Sequence, residues 1–178
     1  MTATGQLKEE HKAVKEALQI LHVFAQNLKA GKKVDKADFE KLLEFLKVFV
    51  DKCHHGKEEN LLFPAMEKAG IPKEGGPIGM MLYEHSLGRN FIKGMGSAKT
   101  GRKIADNIEG YCQLLTEHID KEDNILYEMA DMHLDKATQR ELLKKFDLLE
   151  KEKIGPGKHE KFHQTLNKLK KVYPLPKV

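Results

Sequence analysis

Two histidine–glutamate pairs, each four residues apart, mark this sequence: His54 with Glu58 and His118 with Glu122. The first lies in His54-His55-Gly56-Lys57-Glu58-Glu59-Asn60-Leu61-Leu62-Phe63, the second in His118-Ile119-Asp120-Lys121-Glu122-Asp123-Asn124-Ile125-Leu126-Tyr127. A second shared pattern precedes each copy, Glu10-His11-x-x-x-Lys15 and Glu84-His85-x-x-x-Arg89. The chain therefore reads as a duplicated unit. Residues four apart on a helix differ by about 40° around the axis and one turn along it, so each pair can present two ligand groups inward. His11 and His85 add one nitrogen each from other helices. Imidazole serves first-row transition ions and a carboxylate can bridge two of them. Four histidines and two carboxylates in this order suggest two metal ions with open positions for small molecules.

The donor balance has a consequence. Ferritin-like di-iron bundles use four glutamates and two histidines, whereas this set inverts the proportion. Fewer anions leave more positive charge on the ions, which favours peroxide, hydroxide or azide as exogenous ligands. His55 with Glu59 forms an overlapping pair, but Ile119 and Asp123 occupy those positions in the second copy, so the repeat favours His54 and Glu58. Glu59 and Asp123 are either acceptors for the ligand histidines or ordinary surface acids. One such pair occurs by chance in many helical proteins; two in register with two lone histidines rarely do. His22 lies roughly 16 Å along the helix from His11, too far for the same centre. It and His133, His159 and His163 read as surface or packing residues, and Met80, Met81, Met95, Met129 and Met132 as core filler.

Helices must bring these residues together. Apolar positions Val14, Leu18, Leu21 and Leu28 define a first helix from about Gln6 to Ala30, closed by Gly31. Asp35 or Asp38 can cap a second, which reaches about Ala69 and is bent or loosened near Pro64. Pro77 opens a third, which carries His85 and fades at Gly94 to Gly96. A fourth runs from about Gly101 to His133, and two shorter helices follow, Asp135 to Lys153 and Lys158 to Tyr173. The expectation is an all-α fold, an antiparallel up-down-up-down four-helix bundle with two additional C-terminal helices. His11 lies about 18 residues before the end of helix one and His54 about 18 after the start of helix two, so at about 1.5 Å per residue they sit level.

The 178 residues suit one domain, with a metal-binding bundle over about 6–133 and a helical extension over about 135–173. Mean hydropathy is −0.55, and no apolar run has the length of a spanning helix. The start, Met1-Thr2-Ala3-Thr4-Gly5-Gln6, lacks the basic and apolar regions of a signal peptide, so a cytoplasmic location is expected. Cys53 and Cys112 have no zinc-ribbon or redox spacing and read as packing residues. The net charge of +4 is interleaved with acids and accompanies no nucleic-acid-binding signature, so neither nucleic acid nor membrane is an expected partner.

At these residues the sequence resembles the hemerythrin-like family, the HHE cation-binding domain. The resemblance runs from about Gln6 to His133 through Glu10-His11, His54-x-x-x-Glu58 with Leu62-Phe63-Pro64, Glu84-His85-x-x-x-Arg89, and His118-Ile119-x-Lys121-Glu122-Asp123. It implies an oxo- or hydroxo-bridged non-haem di-iron centre held by His11, His54, Glu58, His85, His118 and Glu122, with zinc or manganese as substitute ions. It also implies oxygen, nitric oxide or peroxide as small-molecule partners, in storage, sensing or detoxification. A di-iron enzyme with peroxidase, catalase-like or nitric-oxide-reducing activity is the alternative, and a metal-stabilised interaction bundle the third. Oxygen carriers of the family have a further histidine where this chain has Arg89, and an aspartate five residues after the last histidine, where Asp123 stands beside Glu122. These departures weigh against reversible oxygen storage. The His159-Glu160-x-x-x-His163 region resembles an extension in some bacterial members.

Overall fold

The computed structural model describes residues 1–174 as six helices, with no strand among them. Helix α1 spans Ala3–Lys29. It begins at Ala3 rather than Gln6 because the Thr2 hydroxyl accepts from the Gly5 N–H, and the buried Ala3 N–H donates to the Gln139 side chain at 2.9 Å. At its far end Gly31, with φ 72°, turns the chain while Gly31 and Lys32 donate to Leu28 and Asn27, satisfying two terminal carbonyls. Helix α2 covers 36–68, capped by Asp35, whose carboxylate accepts from the Asp38 N–H. Helix α3 spans Pro77–Ser97. Helix α4 covers 101–133 and is capped by the Thr100 hydroxyl. Helices α5, Lys136–Lys153, and α6, Lys158–Val172, complete the described chain.

The two helices that carry the His–Glu pairs share one widening, and α2 is π-wound over Phe45–His55 as well. The N–H of Phe63 donates to the carbonyl of Glu58, and that of Tyr127 to the carbonyl of Glu122, each five residues back rather than four. These π-type turns begin at the glutamate of each repeat, a feature frequent at functional sites. Pro64, which lacks an N–H, fits such a turn in α2. It does not cause it, because Glu128 stands at the matching position of α4.

Contacts between α1 and α4 run in opposite sequence order: Thr4 meets Asp131, Lys8 meets Glu128, His11 meets Asp123 and Lys29 meets Glu109. The contacts of α2 with α3, His85 to Glu59 and Arg89 to Asp51, are likewise reversed. Close approach of α3 to α4 depends on glycine: a Cβ on Gly110 would lie 2.4 Å from the Phe91 ring.

Two apolar clusters fill the interior. One holds Val14, Leu21, Phe24, Phe45, Phe49, Ile108 and Leu115; the other holds Leu7, Leu62, Phe63, Met66, Ile78 and Leu126. Between them in sequence along each long helix lie the buried polar residues Glu10, His11, His54, His55, Lys57, Glu58, Glu84, His85, His118 and Glu122. Cys53 is buried in the first cluster and Cys112 packs against it, both as free thiols. Met81 and Met95 are core residues and Met129 packs against the second cluster, but Met80 and Met132 are exposed, against the expectation for them.

The C-terminal helices belong to the same interior. Phe146 and Leu142 of α5 enter the second cluster, while Phe162, Leu166 and Leu169 of α6 enter the first. Phe162 stands edge-on to Phe45 and Phe49 at 5.8 and 6.1 Å between ring centroids. Phe162→Ala should cost about 3–5 kcal/mol, the range for deleting a buried aromatic ring, as read by urea denaturation of the metal-free protein. A loss below about 1 kcal/mol would mean that α6 contributes little to the core.

Candidate metal centre

The six residues expected to bind metal come from α1, α2, α3 and α4, and the fold brings all of them together. His11 Nε2 lies 3.0 Å from His54 Nε2, and His85 Nε2 lies 3.1 Å from His118 Nε2. Two nitrogens at right angles on an ion, with bonds of about 2.1 Å, stand about 3 Å apart. Glu122 spans both histidine pairs: Oε2 is 3.2 Å from His11 Nε2 and Oε1 is 3.1 Å from His118 Nε2. Glu58 Oε2 lies 3.4 Å from His85 Nε2 and 3.9 Å from His54 Nε2. Neither Glu122 oxygen nor Glu58 Oε2 has a hydrogen-bond partner, although all are buried. Buried carboxylate oxygens without partners are costly, and an arrangement of donors around them suits cations. His11, His54 and Glu122 form one group able to hold an ion, and Glu58, His85 and Glu122 another.

Outside this ring each histidine is backed by a carboxylate, and each carboxylate by a cation. His54 Nδ1 donates to Glu10 at 2.9 Å, and Glu10 accepts from Lys57 at 2.6 Å. In the second half His118 Nδ1 donates to Glu84 at 2.8 Å, and Glu84 pairs with Lys121. His11 Nδ1 donates to Asp123, which holds Lys15; His85 Nδ1 donates to Glu59, which holds Arg89. The charged residues that flank the ligand histidines in the two repeats, Glu10 and Glu84, Lys15 and Arg89, Lys57 and Lys121, Glu59 and Asp123, are thus partnered in the same way. Donation from Nδ1 fixes the tautomer that leaves Nε2 free to coordinate.

The electrostatics follow from burial and these partners. For His11, burial opposes the charge, but the hydrogen bond to Asp123 and the nearby Glu122 carboxylate raise its pKa to about 9. For His118 burial is again outweighed, by the adjacent Glu122 charge and the hydrogen bond to Glu84, and the pKa rises to about 10. Burial would also raise Glu122, yet the adjacent histidines, His118 foremost, hold it well below the carboxylate range. Glu58 is pushed well above that range by burial and by the Glu122 charge. At pH 7 without metal, protons are therefore held on His11 and His118 beside an anionic Glu122, and Glu58 is biased toward its neutral form.

The sequence left Glu59 and Asp123 between two roles; both accept from the ring nitrogens of His85 and His11. Arg89 is neither free in solvent nor beside the cluster, but paired with Asp51 and Glu59, each at 2.7 Å. His22 and His133 are exposed, and His159 and His163 pack edge-on to Phe49. Two neighbours of the site, Tyr127 and Lys57, were not foreseen, and His55, which the repeat disfavours as a ligand, is a third neighbour. Tyr127 donates to Glu58 Oε1 at 2.5 Å and stacks on His11. Lys57 is fully buried and also reaches Glu150 of α5 at 2.8 Å. His55 is buried against His85. Lys57 and Tyr127 carried a signal in the repeat: Lys57 matches Lys121, and Tyr127 matches Phe63, which stacks on His85 as Tyr127 does on His11.

These helices and this carboxylate-backed histidine cluster define an all-helical protein with groups suited to holding cations. The family model for the hemerythrin HHE cation binding domain matches residues 2–130, and the chain belongs to that family. Neither curated proteins nor solved structures gave a match.

Cations must displace the cluster's protons, because imidazole and carboxylate bind in their deprotonated forms. Affinity for Zn(II) should therefore rise from pH 7 toward the pKa values of about 9 and 10, with proton release at pH 7 detected by calorimetry in buffers of different ionisation enthalpy. Stability of the metal-free protein should change in the opposite sense. The raised histidine pKa values stabilise it fully below an unfolded value of about 6.5, and that contribution is lost as pH rises through about 9 to 10. Binding without proton release at pH 7 would contradict this charge state.

The two repeat-related lysines should differ in weight. Lys57→Met leaves Glu10 and Glu150 without their buried cation and should cost about 3–5 kcal/mol. Lys121 is 36% exposed, so Lys121→Met should cost about 1 kcal/mol or less. Equal losses in denaturant titrations would refute the buried relay.

Proposed function

We propose that the chain is a non-haem di-iron protein that binds or reacts with oxygen or nitric oxide, in sensing, storage or detoxification. Its frame in this reading is a single hemerythrin-like domain, an antiparallel up-down-up-down four-helix bundle extended by the two C-terminal helices. His11, His54, Glu58, His85, His118 and Glu122 would hold the ions. The observation that carries the reading is the Glu122 carboxylate, with one oxygen 3.2 Å from His11 Nε2 and the other 3.1 Å from His118 Nε2. One carboxylate reaching both histidine pairs is what two neighbouring ions require. Family membership favours iron over zinc or manganese, which the same donors also accept.

When bound, the iron pair supplies electrons and open coordination positions to a small ligand. The chain's own residues set the conditions. Carboxylates on each Nδ1 hold the four rings in orientation. The apolar clusters restrict water to either side. Tyr127 keeps its proton, because burial and the charges of Glu122 and Glu58 all push its pKa up, so the phenol is a hydrogen-bond donor fixed at Glu58. A second reading is a di-iron enzyme with peroxidase, catalase-like or nitric-oxide-reducing activity at the same centre, in which Tyr127 holds Glu58 in place without giving up its proton.

Anaerobic reconstitution should give about two iron ions per chain, and oxidation should add near-ultraviolet charge-transfer bands. Stopped-flow mixing of the reduced protein with oxygen, then nitric oxide, reads the ligand. A persistent stoichiometry of one or none overturns the dinuclear reading; sustained peroxide or nitric oxide consumption moves it to the enzyme.

A further inference from the structure

Each of the four histidines directs Nδ1 to a carboxylate and Nε2 into the cluster. A fifth imidazole lies beside them, with Nδ1 facing a carboxylate and a ligand atom within reach of two of theirs. His55 is 4% exposed, and its Nδ1 faces Asp51 Oδ1 at 3.5 Å, one turn back on α2, without completing a hydrogen bond. Its ring lies nearly parallel to that of His85, with 3.8 Å between centroids, and 6.0 Å from that of His118. Ligand atoms of His55, His85 and His118 all lie within 4.8 Å of one another. Behind them Arg89 donates from Nε to Asp51 and from Nη2 to Glu59, the acceptor of His85. One guanidinium therefore ties together the carboxylates facing both stacked rings.

The repeat makes this an asymmetry. At the positions of His55 and Asp51 the second copy has Ile119 and Leu115, both buried and apolar. The core evidently accepts aliphatic side chains at those positions, so packing alone does not call for an imidazole with an unpartnered nitrogen. We propose that His55 is a third histidine ligand of the ion held by His85 and His118, and that Arg89 is its positioning residue, acting through Asp51. The proposal rests on the two-ion reading above. It makes the two ions inequivalent, with three imidazoles on one and two on the other.

Anaerobic Co(II) titration of the metal-free protein, followed by visible absorption and by proton NMR, tests it. The wild type should take up two Co(II) ions and show hyperfine-shifted exchangeable ring N–H signals from five histidines. His55→Leu should bind one ion as the wild type does and the other at least roughly tenfold more weakly, with altered bands for that ion. Arg89→Met should weaken the same ion to a smaller extent. If His55→Leu does not fold, His55→Gln and the wild-type signal count serve instead. Two ions with wild-type affinities and bands in His55→Leu, or signals from only four histidines in the wild type, would overturn the proposal while leaving the two-ion reading standing. A wild type that binds fewer than two ions would overturn both.

Discussion

Burying a ring of ionisable groups between two apolar clusters is the constraint that the rest of this structure answers. An unpaired charge in such a place costs several kcal/mol, and here ten polar or charged residues are buried in one level of the fold. The answer is layered. Each of the four inner imidazoles leans on a carboxylate, and each carboxylate on a lysine or arginine, nearer the surface in three of the four chains and fully buried at Lys57 in the other. Those chains also set the register of the helices. Glu10 and His11 are adjacent on α1, yet Glu10 serves His54 of α2 while His11 is served by Asp123 of α4. Sliding α1 by one turn would break both contacts at once and leave two carboxylates unpaired.

The duplication halves the problem without making the halves alike. Glu10, His11 and Lys15 correspond to Glu84, His85 and Arg89, and the partners they choose correspond as well. The departures cluster around the metal-ligand candidates: His55 against Ile119, Asp51 against Leu115, Tyr127 against Phe63, Lys57 buried against Lys121 partly exposed. A symmetric frame thus surrounds an asymmetric centre. Asymmetry in the donors is a physical route by which two ions of the same element would acquire different affinities and different open positions.

Much of this was legible in the chain. Helix ends were readable because they are marked by local chemistry: Gly31 at positive φ, Asp35 and Asp135 as caps, Pro77 in a first turn. The level meeting of His11 and His54 followed from helical rise alone. The convergence of six spaced donors was readable for the same reason, since the repeat encodes it. What stayed hidden depends on contacts between distant segments. Nothing near Lys57 in sequence announces Glu150, and the register that set His55 aside compares the two copies but cannot see that a ring on α2 lies flat on a ring from α3. The wide turns at Glu58 and Glu122 were hidden too: Pro64 marks one of them and is absent from the other, so no single residue type announces them.

The C-terminal helices show how a segment outside the family match becomes part of the centre's support. The matched region ends at residue 130, yet the fully buried ammonium of Lys57 completes its pairing only with Glu150 of α5. Glu150 in turn faces His159 of α6 at 3.0 Å, and that neighbour and the Lys57 ammonium hold its pKa at about 2. Glu10, which orients His54, is likewise held at about 2 against burial, by His54 and Lys57. A continuous line of charge therefore runs from a candidate metal ligand through Glu10, Lys57 and Glu150 to His159 on the last helix. Phe146 lies 5.9 Å from the Lys57 ammonium and helps to close it off from water, which strengthens each pairing along that line. Helices α5 and α6 are thus not a loose appendage: they supply the counter-charge without which a lysine could not sit, fully buried, one residue from a carboxylate that faces both histidine pairs.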